Sequence, residues 1–446
     1  MDASLISGKR GQKLKVRGVG IDAILNTDLI QKAIDSCSKS GGGEVILPEG
    51  IIRIGTLLLK SGVILNIPKQ TSLTGDTILS LFPAQSSKLI WYKGRENHHN
   101  RALIIAIGQT NIGITGQGII DGQGSVVYKA WNEKRIEARW MNIWMQDCRN
   151  VQIENIRLLN SPSWMQLYQA CQYLTIRNLK VSNFGSKNND GLDLDGCKNV
   201  QILNCQIDSD DDALVLKSLS NIAMDSVQIR DCVLSSNCNA LKVGTETEGG
   251  IRNITVKNIR IIAPQFKSTF YKRQVAISGI ALTMVDGGEL ENVTIDNVTI
   301  EGVKIPFFIR QGTRNRRSEA SLTNPANSRI RNVRFSNVSA EWTYDLACHV
   351  TAVDSGNIED VVFENMTLNY SPVDSNSIGS RRGDIPYLPE AYPEATLFGK
   401  GLPEVILFAS GVNGLKIHNV GLKEKRTRKS NLPAFYTLNC SRIEQE

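Results

Sequence analysis

Two acidic motifs carry the densest chemistry in the chain. The first is Asn188-Asn189-Asp190-Gly191-Leu192-Asp193. The second is Ser209-Asp210-Asp211-Asp212-Ala213-Leu214-Val215-Leu216-Lys217-Ser218. Asp190 and Asp211 are 21 residues apart. In a chain that repeats at about that period, both motifs fall on one surface patch, because stacked strands lie about 4.8 Å apart. Three adjacent aspartates and a fourth from the next turn repel one another. That repulsion raises at least one carboxyl pKa and leaves an acid beside a carboxylate near neutral pH. Hydrolysis of a glycosidic bond needs that pair: an acid protonates the leaving oxygen and a base activates water. The same oxygens suit a calcium ion, and an Asp-Asp-Asp run is also what a solvated turn looks like. On the residues alone, all three readings stay open.

The elements that would bring the motifs together form a repeat. The pattern is Asn, apolar, polar, apolar, polar, Asn, as in Asn150-Val151-Gln152-Ile153-Glu154-Asn155. Further copies start at Tyr173, Asn199, Ser226, Asn253, Asn292, Asn332, Asp360 and Gly414, with a weaker one at Asn111. Four consecutive steps between starts measure 23 to 27 residues, and the longer steps fit the same unit with insertions. Alternation over five or six residues marks a half-buried strand. The period leaves room for two more short strands, not for a strand and a long helix. No segment after residue 40 sustains a 3.6-residue period. The pattern predicts an all-β fold, a right-handed parallel β-helix of about 10 coils.

The sixth position of the unit reads Asn155, Asn178, Asn204, Asp231, Asn258, Asn297, Asn337, Asn365 and Asn419. Amides stacked at one turn predict a hydrogen-bonded ladder that satisfies backbone groups in a buried turn. Several copies, such as Asn292-Val293-Thr294, also spell a glycosylation sequon, which would place them in surface loops. Their in-register spacing favours the ladder. Residues Thr27 to Lys39 fit one amphipathic helix with Thr27 as N-cap and Gly41-Gly42-Gly43 as its stop. It is expected to cap the first coil, within an N-terminal cap region at 17–50, because an open coil exposes a strand edge. The whole chain, 1–446, is expected to be one β-helix domain with an inserted loop at 370–403.

Composition narrows the function classes. The 446 residues carry 51 Lys+Arg against 44 Asp+Glu, a net +7, with 41% hydrophobic residues. That balance excludes disorder, collagen and small disulfide scaffolds. No apolar run is long enough to span a bilayer, so no membrane association is expected. The first ten residues lack an apolar h-region, which suits either a cytosolic chain or one whose secretion signal is absent. Nine cysteines form no CxxC pair and only four histidines occur, so neither a zinc site nor any other cofactor is expected. Cys171, Cys197, Cys205 and Cys232 read as small buried hydrophobes. The positive charge suits an acidic polymer, nucleic acid or polysaccharide. The basic clusters at 314–317, 381–382 and 423–429 lie in apparent loops without interleaved aromatics, so they read as solvated charge and nucleic-acid binding is not expected.

These motifs resemble those of glycoside hydrolase family 28, the polygalacturonases and rhamnogalacturonan hydrolases. That family pairs an Asn-Thr-Asp-Gly-x-Asp segment with an Asp-Asp-(Cys/Ala)-Ile-Ala-x-Lys-Ser segment one coil later. Asn188 to Asp193 match the first, with Asn189 for Thr, and Asp211 to Ser218 match the second. Asn160-Ser161-Pro162 resembles the family's Asn-Ser-Pro segment. The likeness runs from about residue 17 to 422. It implies an inverting hydrolase of pectic polysaccharide, with Asp211 as general acid and Asp190 and Asp212 holding and deprotonating the water. Asp210 fills a position usually neutral in the family and is expected to push the Asp211 pKa higher.

Two departures bear on specificity. The family's Gly-His-Gly segment aligns with Cys238-Asn239-Ala240, so Asn239 stands in place of the histidine. Glu246 resembles a subgroup that carries Glu after this strand, where it would support the site or bind sugar hydroxyls. The family's Arg-Ile-Lys, which grips a galacturonate carboxylate, aligns with Ala281-Leu282-Thr283. Losing both cations implies a different central sugar, or a carboxylate held from elsewhere by Lys217, Lys242, Arg310 or Arg314.

Insertions at 263–276, 313–329 and 370–403 lengthen three coils and are expected to close the groove, favouring exo action on an α-linked galacturonic acid or related sugar. Trp140, Trp144, Trp164, Tyr271 and Tyr387 are candidate stacking platforms. The rivals are a noncatalytic β-helix polysaccharide binder and an inactive family member. The resemblance implies an acidic plant cell-wall polysaccharide or oligosaccharide as partner and a secreted or periplasmic location.

Overall fold

The computed structural model describes residues 12–87, 100–219, 222–316, 327–343, 346–371, 388–398, 402, 405–424 and 433–446. Arg317, Tyr387, the pair Arg381-Arg382, and much of the insertions at 313–329 and 370–403 lie outside them.

The fold is the expected right-handed parallel β-helix. Among the described residues two parallel arrays, of 21 and 12 strands, carry it. One coil gives strand Leu192–Asp195 to the smaller array, and Lys198–Leu203 and Gln206–Ser209 to the larger. Alternation explains why these segments are strands: in Lys198–Leu203, Val200 and Ile202 are buried between half-exposed neighbours. Parallel register then stacks like on like. Val151, Leu174, Val200, Val227, Ile254, Val293, Val333, Val361 and Leu415 form one interior column. β-branched side chains pack well on such a surface. Cys171, Cys197, Cys205 and Cys232 are buried and unpaired, as expected.

The asparagine ladder is present. Asn178 Nδ2 donates to Asn155 Oδ1, and Asn204 Nδ2 to Asn178 Oδ1, each at 2.8 Å. Later rungs join Asn258 to Asp231 and Asn297 to Asn258, also at 2.8 Å. The expected buried turn is corrected: these rungs lie on exposed turns. Backbone shape explains the residue type. Asn155, Asn178, Asn204 and Asp231 have φ between 52° and 58°. Asn and Asp tolerate this left-handed region better than other side chains. The repeat's starting positions share it: Asn150, Asn199 and Asn253 have φ of 56° to 58°.

The first helix, α1 (Ala23–Lys39), begins four residues before the expected start. Asp22, not Thr27, is its N-cap, accepting from Ile24 and Leu25 N–H at 2.8 and 3.1 Å. Ile24 and Leu25 are exposed, which hides the first turn from an amphipathic pattern. Thr27 instead donates Oγ1 to the Ala23 carbonyl and accepts from Gly55 N–H at 2.8 Å, tying the helix to the strand beneath. Ile30, Ile34 and Cys37 bury the other face against the first coil. Among the described residues two α-helices were not anticipated: α2 (Gly124–Asn132) and the single turn α3 (Ala395–Phe398). Both lie in insertions, where no repeat period exists to expose them. Among the described residues no helix is long and apolar enough to cross a membrane.

Candidate active site

The site lies on the outer face of the twelve-stranded array. Asp190 precedes strand Leu192–Asp195, Asp211 and Asp212 precede Leu214–Lys217, and Asn239 opens Asn239–Val243. These turns stack: Gly191 N–H donates to the Asp212 carbonyl and Ala213 N–H to the Asn239 carbonyl, both at 2.9 Å. Only glycine fits at 191, since a Cβ there would stand 2.4 Å from Ile207 Cγ2 and 2.6 Å from the Ala213 carbonyl. Asn183 Nδ2 donates to the carbonyls of Asn189 and Asp190, and Ser161 N–H donates to Asn183 Oδ1. Ser209 and Ser236 hydroxyls both donate to the Asp211 carbonyl, at 2.8 and 2.6 Å. The three aspartates are thereby brought together, with Asp190 and Asp212 buried and Asp211 half-buried.

Each carboxylate has its own surroundings. Asp212 Oδ1 accepts from Asn239 N–H at 2.9 Å and Nδ2 at 2.6 Å, and its Oδ2 accepts from Lys242 Nζ at 2.6 Å. Asp211 Oδ1 accepts from Asp212 N–H at 3.0 Å, and its Oδ2 accepts from the Tyr271 hydroxyl. Burial, then the neighbouring Asp212, push the Asp211 carboxyl above its ordinary pKa. Asp190 is raised well above its own, by burial and then by Asp193 and Asp211. Among the described residues nothing donates a hydrogen bond to its carboxylate. The oxygens of Asp211 and Asp212 and Cys238 Sγ lie within 4.8 Å of one another. Three acceptor groups so close resemble a metal site, but the Lys242 ammonium already occupies Asp212.

Around these stands an alternating charge network. Lys217 Nζ lies 2.8 Å from Asp193 Oδ1 and 3.7 Å above the Trp164 ring. Neither Asp193 oxygen meets hydrogen-bond geometry, so the contact is an ion pair. Burial lifts Asp193 to about 6, against the pull of Lys217. Burial opposes the charge on Glu246 too, but Lys217, Arg314 and Lys242 outweigh it and hold the carboxyl at about 2. Arg314 pairs with buried Asp286, donates to Thr245 Oγ1 at 2.8 Å, and lies 3.9 Å from Glu246.

Several expected site residues are engaged with other partners. Asp210 is 1% exposed and accepts from Asn237 Nδ2 at 3.1 Å. Arg310 is also buried, donating to Thr351 Oγ1 and the Leu388 carbonyl and stacking on Phe398. Trp140 and Trp144 are fully buried, Trp140 stacked on Phe82 at 4.0 Å, so neither is a sugar platform. Ala281 lies in an apolar cluster with Cys238, Ile277, Phe308 and Phe398, which fills the space beside it.

Sequence reasoning missed four participants. Tyr271 was a stacking candidate, and its hydroxyl instead meets Asp211. Tyr392 accepts from Lys242 Nζ at 2.9 Å, with Arg314 5.7 Å from its ring centre. Asp286 anchors Arg314, and Arg139 reaches Asn188. None belongs to a repeated position, and only Tyr271 carried a signal, as an aromatic in an insertion.

Comparison with known proteins agrees with this architecture. A probable polygalacturonase of Vitis vinifera is 25% identical over 370 residues, covering 79% of this chain and 72% of that one. An exopolygalacturonase of Cochliobolus carbonum is 25% identical over 400 residues, 84% of each chain. Among solved structures, the family 28 exopolygalacturonase of Yersinia enterocolitica superposes with a TM-score of 0.74. That likeness covers 98% of this chain and 79% of that one at 17% identity, and it speaks for the fold. Residues 37–380 match the family described as glycosyl hydrolases family 28, and the chain belongs to that family.

Proposed function

We propose that the chain is an inverting, exo-acting hydrolase of pectic polysaccharide and its oligosaccharides, removing an α-linked galacturonic acid or related sugar. The observation that carries this reading is the division of partners between two adjacent carboxyls. Asp212 faces the Lys242 ammonium, whereas Asp211 faces the Tyr271 phenol and has a raised pKa. Two neighbouring carboxyls with such different partners divide into an acid and a base. Asp211 delivers its proton to the glycosidic oxygen as the anomeric C–O bond breaks. Water, held between Asp190 and Asp212, attacks the anomeric carbon from the opposite face and passes its proton to Asp212, the carboxylate that faces the Lys242 ammonium. Exo action is supported by Tyr271 and Tyr392, which two insertions bring against Asp211 and against Lys242, the partner of Asp212. The polymer lies outside cells, which favours a secreted or periplasmic enzyme.

Product analysis tests this. The wild type and Asp211→Asn are incubated with homogalacturonan, rhamnogalacturonan and branched pectic oligosaccharides. Monosaccharide release by the wild type alone, with the anomer inverted in proton NMR, is the expected result. Equal activity of the variant would remove Asp211 as the acid. No release from any substrate would favour a noncatalytic polysaccharide binder.

A further inference from the structure

The cations around the aspartates are of two kinds. Lys217, Lys242 and Arg314 each face a buried carboxylate: Asp193 at 2.8 Å, Asp212 at 2.6 Å, and Asp286. A sugar carboxylate at any of them would compete with a buried aspartate that cannot leave. Arg139 differs. Its guanidinium donates to the carbonyls of Pro162, at 2.9 Å, and Lys187, and reaches Asn188 Oδ1 at 3.4 Å. Among the described residues it forms no ion pair. Its Cζ lies 4.5 Å from the ring centre of Trp131 and 5.6 Å from that of Tyr128. Arg139, Trp131 and Tyr128 are all half-buried, so each keeps a solvent-facing surface. Arg273 also meets no carboxylate among the described residues, but it is turned to the Asn237 carbonyl and Cys238 Sγ, against the Tyr271 ring.

Two routes join Arg139 to the site. Asn188 stands two residues before Asp190. The Tyr128 ring packs edge-on against Phe270 at 4.8 Å, and the next residue, Tyr271, holds Asp211. We infer that Arg139, with Trp131 and Tyr128, forms a subsite for a uronic acid residue beside the cleaved bond. The guanidinium takes the sugar carboxylate and the aromatic wall takes the apolar sugar face. The carboxylate-binding charge thus comes from the α2 insertion rather than from the strand carrying Ala281 and Thr283. This deepens the proposed function and rests on it only for the identity of the polymer.

Equilibrium binding tests it without turnover. In the Asp211→Asn background, calorimetry compares digalacturonic acid with its carboxyl-reduced, neutral counterpart. The acid binds more tightly, and adding Arg139→Gln weakens the acid about 10- to 100-fold while leaving the neutral sugar unchanged. Arg139→Lys restores part of the preference. The subsite is overturned by equal affinity for the two sugars before substitution. It is also overturned if Arg139→Gln weakens both sugars alike with a lower melting temperature, since that marks a tie between loops. A retained acid preference in a wild type that hydrolyses nothing would remove the catalytic reading and keep the subsite.

Discussion

The Tyr271 hydroxyl donates to Asp211 Oδ2, joining the 263–276 insertion to the proposed general acid. This bond favours the ionised carboxylate and pulls against the burial and the Asp212 charge that raise the Asp211 pKa. Its loss therefore moves the Asp211 pKa further up. Tyr271→Phe is predicted to shift the alkaline limb of the kcat/KM profile to higher pH and to lower kcat roughly tenfold. A uniform loss at every pH, with the limb unmoved, would reduce Tyr271 to a packing residue.

Lys242 and Asp212 form a pair whose side chains are 7% and 5% exposed. Removing one partner of such a pair leaves a buried charge uncompensated. Lys242→Met is predicted to lower the unfolding free energy by about 3–5 kcal/mol. Adding Asp212→Asn should recover a large part of it, because the orphaned charge is then gone. Urea denaturation of the two variants and the wild type reads both steps. A single variant as stable as the wild type would show that water reaches the pair.

Glu246 gives a pH signature. Its folded pKa, about 2, lies below its ordinary value because Lys217, Arg314 and Lys242 overcome the burial that would raise it. The stabilisation is complete above the ordinary Glu pKa of about 4.3 and is lost as pH falls from there toward the folded value. Arg314→Gln removes one of the three cations and raises the folded pKa. The variant is predicted to be less stable at neutral pH and to lose stability less steeply on the acid side. Denaturation midpoints across that range measure the slope, and parallel curves would sink the coupling. Asp193 has the opposite sign: raised to about 6, it subtracts stability as pH climbs through that value.

What was legible in the sequence is what repeats. The Asn ladder, the stacked Val and Ile columns and the three aspartates all sit at positions fixed by coil period, so spacing alone could place them. Tyr271 and Tyr392 meet the site across 60 and 150 residues, from insertions with no period to extrapolate. Arg139 follows an unanticipated helix for the same reason. At Asn239 the family resemblance implied a lost histidine. It could not show that this amide and its own N–H would both bind one oxygen of Asp212.

Asn178 separates the two roles of the ladder. Its Nδ2 donates to Asn155 and its Oδ1 accepts from Asn204, while its backbone holds φ at 56°. Asn178→Ala loses both rungs and leaves a Cβ in the left-handed region without the polar side chain that lets Asn tolerate it, a conformation that costs an ordinary L-residue about 1–2 kcal/mol. Asn178→Gly loses the same rungs without that strain. Alanine is therefore predicted to destabilise more than glycine by about 1 kcal/mol, the conformational share. Because each coil contacts only its neighbours, the loss should be local before it is global. Hydrogen exchange of the Asn178 amide, which donates to the Leu203 carbonyl at 3.0 Å, is the direct readout. Equal acceleration in the two variants would place the whole effect in the amide ladder and none in the backbone turn.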